Sequence, residues 1–332
     1  MLKKICFFLL GALIIMGSCS TGDSAGTQMT GGSSEALLFI NCRAVSEDEV
    51  EFEFSRPVTV TSIYLEPETE IAWVENGSTV KVKLEESPPP GVAFTADILA
   101  EDADRNTVNV LVEFRSRNNR MPALVINELR TEYSKPRSEF IEFKMITAGN
   151  LGAMRIFIAG NNKPFIYEFL PVEVKAGEYV VLHLRTLEDA SIDEYGEDLA
   201  ESGGTDSSPD ARDFWVPGAV KMLNKTGMVY VLDQDDIVLD AVMISETPDS
   251  WWKKEHLAEA ADFLFQQGAW KSTDGKTCRP ADAVDTSPVK TAATRSISRD
   301  ETAVNSKTAA DWFVTATGGA TPGKPNAAKP VD

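Results

Sequence analysis

The sequence contains few of the residues that most often bind metal ions or act as nucleophiles. Its 332 residues include only two histidines, His183 and His256, and four cysteines. Neither histidine has a second potential ligand at the spacing of a zinc site, so we predict no metal site and no cofactor. His183 shares one face of an apolar run with Tyr179 and Val181, a pattern typical of a strand histidine that makes a local hydrogen bond.

Positive charge is also scarce. The chain has 32 Lys and Arg residues against 51 Asp and Glu residues, which gives a formal net charge of -19. A face that binds nucleic acid needs clustered basic residues, so this balance argues against nucleic acid as a partner. We interpret the acidity as a means of solubility, with calcium or a basic partner as the alternative.

The motifs of the common enzyme classes are missing. The sequence has no Gly-x-Ser-x-Gly nucleophile elbow, no phosphate-binding loop and no dinucleotide fingerprint. We therefore predict a protein without catalytic residues. Carboxylates are so abundant that a catalytic pair is not readable from the sequence, and a hydrolase that uses carboxylates is the alternative.

The longest apolar run, at 5–16, follows two lysines at the N-terminus. It is short for a membrane span and has the length of a secretory signal. Small residues follow and lead to Cys19, and this arrangement resembles the bacterial lipobox. The resemblance implies a signal peptide over 1–18 and acylation of Cys19, which would anchor an exported protein to membrane lipid. A plain secretory peptide or an uncleaved anchor is the alternative.

Residues 19–34 are rich in Gly, Ser and Thr, which predicts a flexible tether between the membrane and the folded protein. The tether contains Cys19, and Cys6 would be lost with the signal. Only Cys42 and Cys278 are then left to form a disulfide. An exported chain permits a disulfide, but we favour free, buried thiols because the two residues are far apart in sequence.

Residues 35–118 alternate between apolar and polar side chains. The alternation is clear at 50–54 and recurs at 80–84, 94–98 and 108–112. Short alternating segments at this spacing predict strands of an antiparallel sandwich.

Three sequence words in this region are similar to those of bacterial Ig-like domains. They are Phe-Ser-Arg-Pro-Val at 54–58, Pro-Pro-Gly-Val-Ala-Phe-Thr at 89–95, and Asp-Arg-Asn at 104–106. The third word carries Arg105 where the family commonly has glycine, so that turn is expected to differ. The resemblance implies an Ig-like β-sandwich that serves as a spacer or a binding platform.

Residues 119–327 resemble a lamin-tail domain, because a series of short sequence motifs occurs in the same order as in that family. The words lie at 126–128, 138–143, 169–171, 174–181, 223–232, 240–242, 295–299, 311–312 and 321–326. The resemblance implies a second Ig-like sandwich in which Trp312 is a core residue that holds the last segment. Glu128 and Glu142 also recur in such domains, and we expect them to make hydrogen bonds at strand ends or turns.

The predicted fold is therefore mainly β, with two Ig-like antiparallel β-sandwiches in tandem. The second sandwich is interrupted by insertions at about 186–216 and 246–294. The first insertion contains ten acidic residues and one arginine between 186 and 213. Because its acids lack the spacing of an EF-hand, we predict a solvated, mobile loop, with a calcium site as the alternative.

The second insertion contains a helical pattern. Thr247 is a candidate N-cap, Pro248 suits the first helical position, and Gly268 is a candidate stop. One apolar stripe of this helix comprises Trp252, His256, Ala260 and Phe263 or Leu264. The other side is polar and comprises Lys253, Lys254, Glu255 and Asp262.

The same insertion carries Trp251, Trp252 and Phe265. These aromatic side chains either pack the helix on the sandwich or form a patch that binds a partner. We expect a non-catalytic binding or structural protein of the cell envelope, whose partner is a protein or another envelope component. A nuclease-associated or carboxylate-based envelope hydrolase is the alternative.

Overall fold

The computed structural model describes residues 36–160 and 163–327. These residues form several β-sheets and a single α-helix, so the predicted mainly-β class is confirmed and is consistent with β-sandwich domains. Contacts divide the chain into two compact units between Asn119 and Arg120. In the described ranges no helix is long and apolar enough to cross a bilayer. The predicted signal peptide, Cys19 and the tether 19–34 lie outside the described residues.

In the described part of the chain, the first unit is one antiparallel sheet that curves around its own core. Its strands are β1 (Phe39–Ala44), β2 (Glu49–Glu66), β3 (Ile71–Glu75), β4 (Gly77–Leu84), β5 (Ala93–Asp102) and β6 (Thr107–Arg115). The first part of β2 pairs with β1 and β4, whereas the part from Val58 onward pairs with β5. This shared strand, with its bulges, bends the sheet so that the apolar residues of 50–54 and 80–84 face one core.

The turn between β5 and β6 shows how the chain replaces the expected glycine. Arg105 has a φ of 66°, in the left-handed region that glycine adopts without steric cost. The Asp102 carboxylate accepts the N–H groups of Asp104 and Asn106, each at 2.9 Å. These hydrogen bonds stabilise a turn that Arg105 alone would disfavour.

The second unit contains two larger sheets that enclose a common core. Its strands are β7 (Leu124–Arg130), β8 (Phe140–Met145), β9 (Gly149–Asn150), β10 (Arg155–Ala159), β11 (Phe165–Glu168), β12 (Glu173–Val174), β13 (Tyr179–His183), β14 (Ala211–Trp215), β15 (Gly227–Leu232), β16 (Val238–Ser245), β17 (Val284–Asp285), β18 (Ile297–Arg299) and β19 (Trp312–Val314). One sheet has the order β14-β13-β8-β7-β18-β19, the other β11-β10-β15-β16-β17, and β9 pairs with β12. Side chains from both larger sheets meet in the core, as a sandwich requires.

Two strand pairs in this unit are parallel, which corrects the prediction of purely antiparallel sandwiches. β13 pairs in parallel with β14, and β16 pairs in parallel with β17. A parallel pair needs a long connection, because the chain must return to the same end of the sheet. The two insertions supply these connections, so each insertion adds an edge strand to the sandwich.

The single helix of the described chain, α1 (Glu255–Gln266), begins later than predicted. Its N-cap is Lys254, not Thr247. The Thr247 hydroxyl instead accepts a hydrogen bond from Ser250 Oγ at 3.0 Å, in a separate turn. The predicted stop is confirmed, since Gly268 follows the C-cap with a φ of 62°. The helix buries Leu257, Ala260, Ala261 and Leu264 against the core.

Trp312 is a core residue, as the resemblance implied. It is 5% exposed and packs in the core of the second unit. Its neighbour across the β18–β19 pair is Arg299, whose guanidinium lies 4.4 Å from the indole ring centre. The aromatic residue at the start of the C-terminal segment therefore anchors that segment to the fold.

Candidate functional site

Two buried glutamates on neighbouring strands hold the C-terminal segment. Glu128 on β7 lies opposite Glu142 on β8, and both are fully buried. Glu128 accepts hydrogen bonds from Ser296 Oγ at 2.5 Å and from the Thr321 N–H at 3.0 Å. The prediction of a hydrogen-bonding role for Glu128 is confirmed.

Glu142 also holds the C-terminal segment, two residues beyond the point where Glu128 binds it. Its carboxylate accepts the Gly323 N–H at 2.6 Å and the Asn127 side-chain amide at 2.8 Å. The Asn326 side-chain amide then donates to the carbonyl oxygens of Asn127 and Arg299. These contacts explain why an ending rich in Thr, Pro and Gly is ordered, because several of its N–H groups donate to buried acceptors.

The environment of this pair shifts both titrations in the same direction. Burial raises the pKa of the Glu128 carboxyl. Burial raises the pKa of the Glu142 carboxyl well above its usual value, and the nearby Glu128 adds to the shift. Two carboxylates in one dry site disfavour double ionisation. The pair is thus a buried structural element whose carboxylates accept hydrogen bonds from the C-terminal segment.

We expect the stability of the second unit to depend on the protonation of Glu142. Its folded pKa lies above its unfolded pKa, so its contribution to stability is full below the unfolded pKa. That contribution is lost as pH rises through the folded pKa, by about 1.4 kcal/mol for each unit of separation. Glu142→Gln cannot ionise, so its melting temperature should rise relative to wild type as pH increases above the ordinary pKa range of a glutamate.

The measurement is thermal unfolding of the second unit at a series of pH values, wild type against variant. Glu173→Gln is the matched control, because Glu173 is exposed and Arg120 lowers the pKa of its carboxyl. Stability from a lowered pKa is lost only as pH falls through the folded pKa, so the control should show no change over this range. A constant difference between Glu142→Gln and wild type would contradict the prediction.

Ser138, His183 and Asp213 form a buried row with the composition of a catalytic triad. His183 Nε2 lies 2.8 Å from Asp213 Oδ1, and Ser138 Oγ lies 3.4 Å from His183 Nδ1. The imidazole stacks on Trp215 with 3.8 Å between ring centres. A nucleophile must reach a substrate, yet all three triad-like side chains are at most 1% exposed. The predicted strand position of His183 is confirmed, but its hydrogen-bond partners are distant in sequence and not local as predicted.

Part of the acidic insertion is built into the fold, so the prediction of a solvated loop is wrong for that part, although five of its ten acidic residues are exposed. Glu194 is fully buried and accepts the N–H groups of Ser202 at 2.9 Å and Asp213 at 2.8 Å. Asp206 forms a salt bridge with Arg130 at 2.6 Å. The carboxylates satisfy backbone N–H groups that have no strand partner, and this explains why an acidic sequence is not simply exposed. Residues 36–160 and 163–327 contain no group of three or more potential metal ligands.

Both cysteines of the described chain are free thiols. Cys42 is half-buried in the first unit, and Cys278 is buried in the second. Burial raises the pKa of each thiol to about 12. A thiol with a raised pKa is a poor nucleophile at neutral pH, which favours a packing role for both residues.

The structure separates the three aromatic residues predicted to form a patch. Trp251 is 67% exposed, whereas Trp252 and Phe265 are half-buried and pack against the core. Trp252 Nε1 donates to the Cys278 carbonyl oxygen at 2.9 Å. Trp251 and Trp252 line a common cleft that does not include Phe265.

This cleft has a volume of about 440 Å³ and lies beside the start of α1. It is lined by Glu132, Lys221, Asn224, Lys225, Thr226, Glu246, Thr247, Ser250, Trp251, Trp252, Lys253, Lys254, Leu257 and Pro280. Four lysines and two glutamates therefore face one concave surface of a chain whose net charge is -19. We refer to it as the lysine cleft.

The charged side chains of the lysine cleft are only partly paired. Lys221 lies 3.1 Å from Glu132, and Lys225 lies 3.4 Å from Glu246. Arg279, next to the cleft, lies over the Trp251 ring at 4.7 Å from its centre. Because these groups come from separate segments, sequence reasoning missed the cleft. The available signal was the pair of lysines that directly follows Trp251 and Trp252.

Comparisons with known proteins place the second unit in a family. Residues 122–314, more than half of the chain, match the model of the family TP_1001_2nd, described as a protein second domain. An uncharacterized protein of Treponema pallidum (strain Nichols) is 29% identical over 239 residues. The match covers 68% of this chain, and this chain spans 59% of the length of that relative. The chain belongs to the family TP_1001_2nd through the sandwich that carries the lysine cleft.

Proposed function

We propose that this chain is a lipid-anchored protein of the cell envelope that acts as a non-catalytic binding module. In this proposal, acylated Cys19 holds the chain on the membrane and the tether 19–34 separates the folded units from it. The first unit is a bacterial Ig-like spacer, and the second is a lamin-tail-like domain that presents the binding site. The lipobox-like residues before Cys19 and the ordered sequence words of the second unit support these assignments.

The observation that carries the proposal is the lysine cleft. It is concave, it lies on the second unit, and it presents the exposed Trp251 beside charged side chains. A concave surface with one aromatic wall and several polar groups is the usual form of a binding site. The buried position of Glu128, Glu142 and Glu194 supports a structural role for the carboxylates that a hydrolase would need.

The test has an anchoring arm and a binding arm. In the anchoring arm, wild type should fractionate with membranes. Cys19→Ala should stay unprocessed or move to the soluble fraction, since it cannot carry acyl chains. A processed Cys19→Ala chain retained like wild type would overturn the anchor.

In the binding arm, the full chain in mild detergent is the bait for an envelope extract. Trp251→Ala should lose the captured component, because it removes the aromatic wall of the lysine cleft. Trp73→Ala is the matched control, since Trp73 is 44% exposed and lies on the first unit. Equal capture by wild type and Trp251→Ala would overturn the assignment of the site.

A further inference from the structure

We infer that the lysine cleft binds a small hydroxylated anion, a sugar acid or a sugar phosphate. This inference rests on the proposed binding function and adds the chemical class of the ligand. It draws on three features of the cleft: its charge, an aromatic wall and its size.

The charge of the lysine cleft opposes that of the whole chain. Glu132 and Glu246 each pair with one lysine, which leaves Lys253 and Lys254 to set the net charge. Both of these lysines are exposed, and their ammonium groups form no ion pair within the described residues. A concave surface concentrates the field of its charged groups, so the lysine cleft attracts anions that the rest of this acidic surface repels.

The aromatic wall and the size of the lysine cleft fit a single sugar ring. Trp251 is 67% exposed, and the Arg279 guanidinium lies over one face of its indole, so the rest of this flat apolar surface with a polar edge is open. The apolar C–H face of a sugar ring suits such a surface, while its hydroxyl groups turn to polar side chains. Thr247 and Ser250 provide hydroxyl groups in the same wall. A volume of about 440 Å³ lies in the range of small-molecule sites.

Calorimetric titration of the full chain with glucuronate, glucose 6-phosphate, inorganic phosphate and glucose tests this inference. The two acidic sugars should bind, phosphate should bind more weakly, and glucose should give no measurable heat. Raising NaCl from about 50 mM to about 500 mM should weaken binding, since salt screens exposed charges. An oligomer of the same uronate that binds more tightly than the monomer would point to a glycan chain as the source. Equal affinity would point to the free sugar.

Two lysine variants separate the local charge from the charge of the whole protein. The double variant Lys253→Ala/Lys254→Ala should weaken binding of glucuronate about tenfold, because two favourable ion interactions are lost. Lys163→Ala/Lys290→Ala removes the same charge from exposed positions outside the cleft lining and should change affinity less than about twofold. Equal losses in both double variants would overturn the inference.

Failure of the ligand class and failure of the binding function are distinguishable. If glucose bound as well as glucuronate, or if neither acidic sugar bound, the ligand class would be wrong. Loss of envelope capture in Trp251→Ala would still uphold the binding function.

Discussion

Trp312→Ala is expected to unfold the second unit while the first unit stays folded. Truncation of a large buried aromatic side chain usually costs about 3–5 kcal/mol. Trp312 is 5% exposed, and its ring lies against the Arg299 guanidinium at 4.4 Å, so packing and a cation–π contact are both lost. A domain typically has about 5–15 kcal/mol of stability, so this single change removes a large share of it.

The measurement is denaturant unfolding followed by signals that distinguish the two units. Wild type and variant should differ in the transition of the second unit, and the first unit has a separate core that does not contain Trp312. Trp73→Ala is the control, because Trp73 is 44% exposed and its loss should change stability by less than about 0.5 kcal/mol. A change of that small size in Trp312→Ala would refute the role of this residue.

Removal of everything after Ala310 tests the same segment without a point substitution. The deletion removes Trp312 and also the Thr321 and Gly323 N–H groups, which the carboxylates of Glu128 and Glu142 accept. Two buried carboxylates would then lose donors, which adds a desolvation cost to the lost packing. A stable, cooperatively folding fragment that ends at Ala310 would contradict both the packing and the hydrogen-bonding account.

The sequence was most informative where its side chains alternate. The apolar residues at 50–54 and 80–84 lie in the core of the first unit because a strand has a period of two. The burial of Trp312 was also predictable, because a large aromatic side chain in a polar segment is usually buried in the core. These predictions depend on local patterns, and a strand or a buried side chain follows from such patterns directly.

Features that depend on distant partners were harder to predict. Nothing near Glu194 in sequence indicates that its carboxylate accepts the backbone N–H of Asp213, so the acidic insertion looked solvated. The start of α1 was misplaced for a different reason, because the Thr247 hydroxyl takes part in a local turn with Ser250 and caps no helix. The parallel edge strands follow from where the insertions return to the sheet, and composition does not specify that.

The lysine cleft was also missed, because its residues are distant from one another in sequence. Lys253 and Lys254 were read as the polar side of a helix, but they precede the first helical residue, Glu255. The other two lysines of the cleft, Lys221 and Lys225, come from the connection before β15. A site assembled from four separate segments has no spacing signature, so it becomes visible only when the sandwich is folded.

Asp240→Ala is expected to be as damaging as Trp312→Ala, because Asp240 ties the two larger sheets together. Asp240 lies on β16, and its Oδ2 accepts the Ile126 N–H of β7 at 2.7 Å and the Arg299 Nη2 of β18 at 2.5 Å. Arg299 Nε also donates to the Ile126 carbonyl oxygen at 2.7 Å. The Asp240 and Arg299 side chains are 6% and 7% exposed, so this is a buried ion pair.

The loss of stability in Asp240→Ala has two causes. The variant leaves the Arg299 charge buried without its partner, and removal of one member of a buried pair typically costs about 3–5 kcal/mol. It also leaves the Ile126 N–H without an acceptor. The double variant Asp240→Ala/Arg299→Ala should therefore cost less than the sum of the single variants, because it removes the uncompensated charge.

Urea unfolding of the second unit measures all three variants. Glu197→Ala is the matched control, since Glu197 pairs with Lys175 at 2.6 Å but both side chains are more than 70% exposed. An exposed pair of this kind contributes about 0–1 kcal/mol, so the control should change stability little. Two results would show that the Asp240–Arg299 contact does not stabilise the second unit. Asp240→Ala could cost no more than Glu197→Ala, or the effects of the two single variants on the free energy of unfolding could be simply additive. If instead the double variant recovers stability relative to the sum, the buried charge is what makes a polar contact at this position hold the sandwich closed.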